Sequence, residues 1–272
     1  MNPKPLFEII RPHNCLMSFI AVLIGAYVSV SILEIKPIIG ALVAFLYTAA
    51  GNSMNDYFDR YVDRINRPER PIPSGRINES TVLALSILLF LVGYVLLFTI
   101  NIYAIMLGTL NLIVLVLYNA RIKRKAVAAN ITIAYLTASL FLFGAICANG
   151  LGATPLLMVT AFLATWSREV VKDVEDVEGD IFDRKTLPMI ISRKRALDVA
   201  FVLNVLAIVV GLCAYVVFPT LYYIIPLLIS ACIFIYSSVI AYQSPSKGQR
   251  IAKVAMFIAL ISFIGGAYAK GW

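Results

Sequence analysis

Apolar runs of about 20 residues recur along the chain between short polar stretches, each long enough to cross a hydrocarbon layer as a helix. They fall at about residues 14–33, 37–59, 80–100, 102–120, 127–149, 154–174, 195–217, 220–242 and 250–269, a pattern that predicts nine transmembrane helices. Asn101 and the Phe218-Pro219 pair break runs that would otherwise merge. The expected fold class is therefore all-α: a polytopic membrane protein forming one domain over residues 1–272, with polar cap loops at about 60–78 and 178–194.

Composition supports that picture. With 61% hydrophobic and 14% charged residues, a water-soluble globule and a disordered chain are both excluded. The net charge of +8 would suggest nucleic-acid binding in a soluble protein. Here the charges sort by membrane side instead, and no nucleic-acid partner is expected. Placing the N-terminus in the cytoplasm puts 21 of the 23 Lys and Arg residues inside, leaving Lys36 and Lys270 outside with the C-terminus. The N-terminus lacks a signal-peptide pattern, so the first span should be retained in a cell-membrane protein. Cys15, Cys147, Cys213 and Cys232 lie inside apolar runs without paired spacing, which indicates neither disulfides nor zinc. No protein partner is evident.

The acids are as unevenly placed as the bases: 13 of 15 fall in segments 56–79 and 169–198, after the second and sixth apolar runs. Each segment contains D-x-x-D-x-x-x-D, as Asp56, Asp59, Asp63 and as Asp173, Asp176, Asp180. At 100° per residue each trio occupies an arc of about 60° on a helix, with Asn52 and Glu169 on the same stripes and Asn55 at the margin. The repeat suggests two related helical units whose acidic ends face each other across a cavity. Like charges so placed repel, and near a membrane each buried Asp costs roughly 2.5–3.5 kcal/mol, so positive charge should offset them. Oxygen ligands without nearby His or Cys favour Mg²⁺, which bridges carboxylates to substrate phosphates. Ordinary solvated ion pairing is the better reading for Glu175, Glu178, Asp183 and Asp198.

A diphosphate needs cations too, and Arg60, Arg67, Arg70, Lys123, Arg124 and Lys172 are expected on the same side as the acids. Tyr118 and Lys123 close the fourth run, where the lysine can reach a phosphate and the tyrosine can stay at the interface. Arg11-Pro12-His13-Asn14 opens the first helix, with Asn14 able to face the cavity; His13, a lone histidine, reads as an interfacial polar residue. The Pro-rich segment 67–75 should leave the helix and cap the first acidic end.

These residues resemble the UbiA superfamily of intramembrane prenyltransferases. The resemblance rests on Asn55-Asp56-x-x-Asp59-x-x-x-Asp63, Asp173-x-x-Asp176-x-x-x-Asp180 and the Arg-Pro-Ile-Pro-Ser-Gly at 70–75, together with Arg11-Pro12, the 118–124 element and Asn130. It implies nine helices around a central cavity opening sideways into lipid. It further implies that Asn55, Asp56, Asp59 and Asp63 hold one Mg²⁺ and Asp173, Asp176 and Asp180 a second, with Asp59, Asp63, Asp176, Asp180 and Lys123 carrying the catalysis. Arg11, Asn14, Asn52, Arg67, Arg70, Tyr118, Lys123, Arg124 and Lys172 would bind the substrates, an isoprenoid diphosphate and a lipid acceptor drawn from the membrane. The segment 168–188 is most similar to archaeal members that move geranylgeranyl onto the hydroxyl of geranylgeranylglyceryl phosphate. An aromatic acceptor is the alternative within the family, and a cation transporter the alternative outside it.

Overall fold

Proline and left-handed backbone set the first boundaries in the structure, a computed structural model that describes residues 4–30, 34–177 and 185–271. A short α1 (Lys4–Ile10) stops at Arg11, whose φ of 51° is left-handed, and Pro12 starts α2 (Pro12–Val30). Pro suits a first turn because its missing N–H would be unbonded there anyway. The helix α3 (Ile35–Asn66) is 32 residues long, about 48 Å at 1.5 Å per residue, so its polar end projects past a hydrocarbon layer of about 30 Å. It continues seven residues beyond the expected end at 59, which places Asp63 on the same helix as Asp56 and Asp59. Pro68 ends it, and the first polar loop therefore begins at 67 rather than 60.

The chain continues through α4 (Glu79–Leu97), α5 (Ile102–Ala120), a 3₁₀ turn at Ile122–Arg124, α6 (Ala126–Cys147) and α7 (Thr154–Glu175). A short α8 (Leu187–Ile191) leads into α9 (Arg193–Cys213), α10 (Leu221–Gln243) and α11 (Pro245–Lys270). Residues 187–194 of the second expected loop are thus largely helical, and its residues 178–184 lie outside the described residues. Among the described residues eight helices, α2–α6 and α9–α11, are long and apolar enough to cross a membrane, where nine were expected. The sixth expected run is α7, which has 22 residues but carries Arg168, Glu169, Lys172, Asp173 and Glu175 near its end. Those eight helices make the chain an integral membrane protein.

In lipid, apolar side chains gain little by moving from acyl chains to protein, so helix association depends on close packing. At the α2–α6 crossing a side chain on Gly25 would collide with the Phe141 backbone, and one on Gly144 with the Val22 carbonyl. The Thr154 hydroxyl adds a hydrogen bond to the Gly25 carbonyl at 3.1 Å, drawing α7 to the same crossing. At the end opposite the acids, the Asn101 amide donates to the Ile146 carbonyl at 2.8 Å and ties the α4–α5 turn to α6. The later helices pack around Phe218, Tyr223 and Phe263, all fully buried.

Candidate active site

A chamber of about 530 Å³ lies between α2, α3, α5, α6 and α7. Arg11, Asn14, Asn52, Asn55, Tyr118 and Lys172, all expected at the site, line it together with Glu169. Its deeper wall is apolar, with Val43, Ala44, Leu140 and Phe143. Asn52 and Asn55 precede the acids of α3, while Glu169 and Lys172 precede those at the end of α7. Both helices thus bring residues to one chamber, but Asp56, Asp59, Asp63, Asp173 and Asp176 are not among the residues that line it.

On α3 the acids are matched with cations from three other segments. Arg11 Nη2 reaches Asp56 Oδ1 at 2.5 Å, from the left-handed break before α2. Arg70, in the loop after α3, bonds Asp63 at 2.6 Å and approaches Asp56 at 3.5 Å, so the Pro-rich segment does fold back over the acidic end. The Lys123 ammonium pairs with Asp59 from the turn before α6. Asp56 and Asp63 are buried, so an unpaired charge at either would be costly. The Asn52 amide donates to the Ile10 carbonyl at 2.9 Å, steadying the break that presents Arg11.

Other basic candidates sit elsewhere. Arg60 turns to Glu79 at 2.7 Å and stacks over the rings of Tyr57 and Tyr61, while Arg67 and Arg124 are exposed. Arg67 is the C-cap of α3, its N–H bonded to the Asp63 carbonyl. His13 is exposed. Arg76 pins the loop to α1 through Glu8, and this hydrogen bond holds the Glu8 carboxyl below its usual range.

The second end is built differently. The helix α7 ends at Glu175 and Asp176 is its C-cap, so the expected α-helical stripe is not continued beyond it within the described residues; Asp180, like Glu178 and Asp183, lies outside them. Asp173 is buried and accepts from the Asn130 amide at 2.7 Å. Glu169 pairs with Arg168 beside it. Glu175 and Asp198, expected to pair with neighbouring arginines, instead accept hydrogen bonds from Gln249 and the Tyr242 hydroxyl, which lie 74 and 44 residues away in the chain. The backbone of Lys125 pairs with that of Lys185, joining the α5–α6 turn to the chain beyond the second acidic segment.

Ser18, Thr48, Asn111 and Asn119 also line the chamber and were not singled out from the sequence. The available signal was Asn111-Leu115-Asn119, which at i, i+4 and i+8 shares one face of α5.

Among the described residues no three His, Cys, Asp or Glu side chains converge as a metal site. The chemistry of the donors nevertheless fits a hard cation. Asn52, Asn55 and the stripe carboxylates offer only oxygen, and the α3 carboxylates already attract three cationic side chains.

The fold is shared with known proteins. A digeranylgeranylglyceryl phosphate synthase from Methanosphaera stadtmanae is 39% identical over 272 residues, covering 97% of this chain and 99% of its own. One from Pyrococcus furiosus is 37% identical over 277 residues, covering the whole of both chains. A solved structure described as a study of digeranylgeranylglyceryl phosphate synthase in membranes superposes with a TM-score of 0.87 at 35% identity, covering 98% of each chain. A UbiA homolog from Archaeoglobus fulgidus, bound to GPP and Mg²⁺, shares the fold with a TM-score of 0.75 at 18% identity, covering 98% of this chain and 99% of its own. The model of the UbiA prenyltransferase family matches residues 15–261, and the chain belongs to that family.

Proposed function

We propose that the protein transfers a geranylgeranyl group from geranylgeranyl diphosphate to the free hydroxyl of geranylgeranylglyceryl phosphate, forming the second ether bond of an archaeal membrane lipid. The observation that carries this reading is the chamber lined by Asn52 and Asn55 of α3 and Glu169 and Lys172 of α7, the residues that lead into the two aspartate stripes, polar and cationic at its mouth and apolar below. Relatives bearing the name of that synthase, similar over their full length, support the choice of acceptor.

In this reading the allylic C–O bond to diphosphate breaks, the acceptor oxygen bonds to the same carbon, and the hydroxyl proton leaves with the diphosphate. Two divalent cations, Mg²⁺ by the oxygen donor set, supply Lewis-acid charge against the leaving diphosphate when bound. Asn55, Asp56, Asp59 and Asp63 would hold one, and Asp173, Asp176 and Asp180 the other. Arg70 and Lys123, now on carboxylates, stand close enough to the first end to turn to phosphate oxygens when the acids take metal. Arg11 and Lys172 flank the mouth and suit the acceptor phosphate. Asn14, Asn52 and Tyr118 line the space between, whereas Arg67 and Arg124 contribute from the exposed rim. The loop from 67 to 78 covers the first end and shields a reactive allylic cation from water. The charge bias supports a mouth and N-terminus on the cytoplasmic side and, with α7 crossing as a ninth span beside the other eight, a C-terminus outside.

The test is to give the purified protein labelled geranylgeranyl diphosphate, Mg²⁺ and each acceptor separately. Ether product from geranylgeranylglyceryl phosphate is expected. Product from an aromatic acceptor alone, or cation flux in liposomes without prenyl transfer, would overturn the reading.

A further inference from the structure

Four polar side chains from four helices lie at one depth in the chamber. Thr48 on α3 donates to Ser18 on α2 at 2.8 Å, which fixes those two level. Gly51 faces Leu115, a Cβ there lying 2.9 Å from its side chain; four residues back along these parallel helices, Tyr47 and Thr48 come level with Asn111. Gly40 faces Cys147 and Phe143 on the antiparallel α6, and advancing eight residues on α3 with the same rise back along α6 brings Thr48 level with Thr137. All four line the chamber. Below them are Val43, Ala44, Leu140 and Phe143; above them is the charged mouth.

A polar belt inside an apolar chamber requires a reason, because an unpaired polar group there forfeits its hydrogen bonds to water. Thr48 donates to Ser18, whose own hydroxyl donates to the Asn14 carbonyl at 3.2 Å, whereas Asn111 Oδ1, like Asn119 Oδ1 nearer the mouth and the Tyr47 hydroxyl, is buried without a hydrogen-bond partner among the described residues; Asn111 is the amide of the three at the depth of the belt. A carboxamide carries both donors and an acceptor, and a hydroxyl, which also does both, can pair with either end. The depth fits as well. Asn111 lies seven residues, about 10.5 Å, below Tyr118 at the mouth. A P–O–C–C–O path spans about 5 Å and a hydrogen bond about 3 Å, and the Lys172 side chain, leaning toward the N-terminus of α7 and so into the chamber, can hold the phosphate below the level of Tyr118, which brings the hydroxyl to the belt.

We infer that Asn111 is a specificity-determining residue that hydrogen-bonds the reacting hydroxyl of the lipid acceptor while the acceptor phosphate stays at the mouth with Arg11 and Lys172. The inference rests on the functional reading above and adds to it the side chain that selects an alcohol. The competing source of the same chemistry is a resident water.

A cycle of protein and ligand variants separates these. The affinities of geranylgeranylglyceryl phosphate and of its analogue lacking the free hydroxyl are measured in detergent, by competition, for the wild type and Asn111→Leu. The wild type should prefer the alcohol by about tenfold, the range of one buried hydrogen bond, and the variant should show a ratio near one with KM for geranylgeranyl diphosphate unchanged. Asn111→Ala, which crowds nothing, repeats the cycle if the Leu variant does not fold. An alcohol preference equal in wild type and variant would assign Asn111 to water and overturn the inference, as would equal weakening of both substrates. A wild type that forms no ether with this acceptor would overturn the functional reading itself, and is read directly from product.

Discussion

The two acidic helix ends carry the same spacing of aspartates and hold them by different means. At the end of α3 the acids lie on one uninterrupted helix and are matched by Arg11, Arg70 and Lys123. At the end of α7 the helix stops at Glu175, and the buried Asp173 accepts from the neutral amide of Asn130. The first end can thus be neutralised by the protein alone. Equal spacing therefore does not mean equal helical support: the first trio lies on continuous helix, whereas the second helix stops before Asp176. The cations of the first end can change partners between carboxylate and phosphate.

The largest effects should ignore that difference, because the chemistry needs both ends. Asp59→Ala and Asp176→Ala are each expected to reduce Mg²⁺-dependent transfer by about 10²–10³-fold or more, with a folded protein by thermal unfolding. Near-normal turnover by either variant would break the pairing of the two ends. Removing divalent cations with a chelator should stop turnover reversibly and leave the unfolding midpoint little changed, since Arg11, Arg70 and Lys123 already neutralise the α3 acids. A large fall in the midpoint would show that metal, rather than these side chains, holds the first end together.

Stability should then separate the ends. Arg70→Leu leaves Asp56 and Asp63, both buried, short of their shared cation, and is expected to destabilise by about 3 kcal/mol. Asn130→Leu removes one hydrogen bond from Asp173 and should cost about 1–2 kcal/mol. Denaturation of the two variants in the same detergent checks the order, and a reversed order would mean that the second end bears the greater buried charge.

Much of this was legible in the sequence because helices in a bilayer must satisfy their own backbone, which ties apolar run length directly to structure. The runs at 102–120 and 154–174 match α5 and α7 to within a residue. The stripe of Asp56, Asp59 and Asp63 followed from helical geometry, since nothing interrupts α3 before Pro68. Which cation meets which acid was not legible. Arg60 and Arg70 have the same charge, but one stacks on tyrosines of its own helix while the other returns from a loop whose path depends on Pro71 and Ile77 being buried. The end of α7 was hidden as well, because no Pro or Gly marks Glu175 and the helical arithmetic assumed continuation to Asp180. Asn111 and Asn119 mark one polar face of an apolar run in the sequence, but what that face meets becomes visible only in the structure, where Ser18 and Thr48 line the same chamber.

The smallest expected effect sharpens the comparison from outside the chamber. Arg76 joins Glu8 of α1 to the loop over the first end. The hydrogen bond from Arg76 lowers the Glu8 pKa in the folded protein. The folded state then binds fewer protons than the unfolded one in the window between the two values, so the linkage favours folding as pH rises. Its contribution is complete above the ordinary glutamate range, near pH 4.3, and is lost as pH falls through the lowered folded value. The pair is exposed, so salt should weaken it further. Hydrogen exchange in residues 67–78 should accelerate slightly, relative to intrinsic rates, as pH falls through that window. Glu8→Gln should abolish that pH dependence while leaving the end of α7 unaltered. Equal changes at both ends would show that the loop responds to the whole bundle rather than to this ion pair, and the distinction between the ends would then be confined to the chamber.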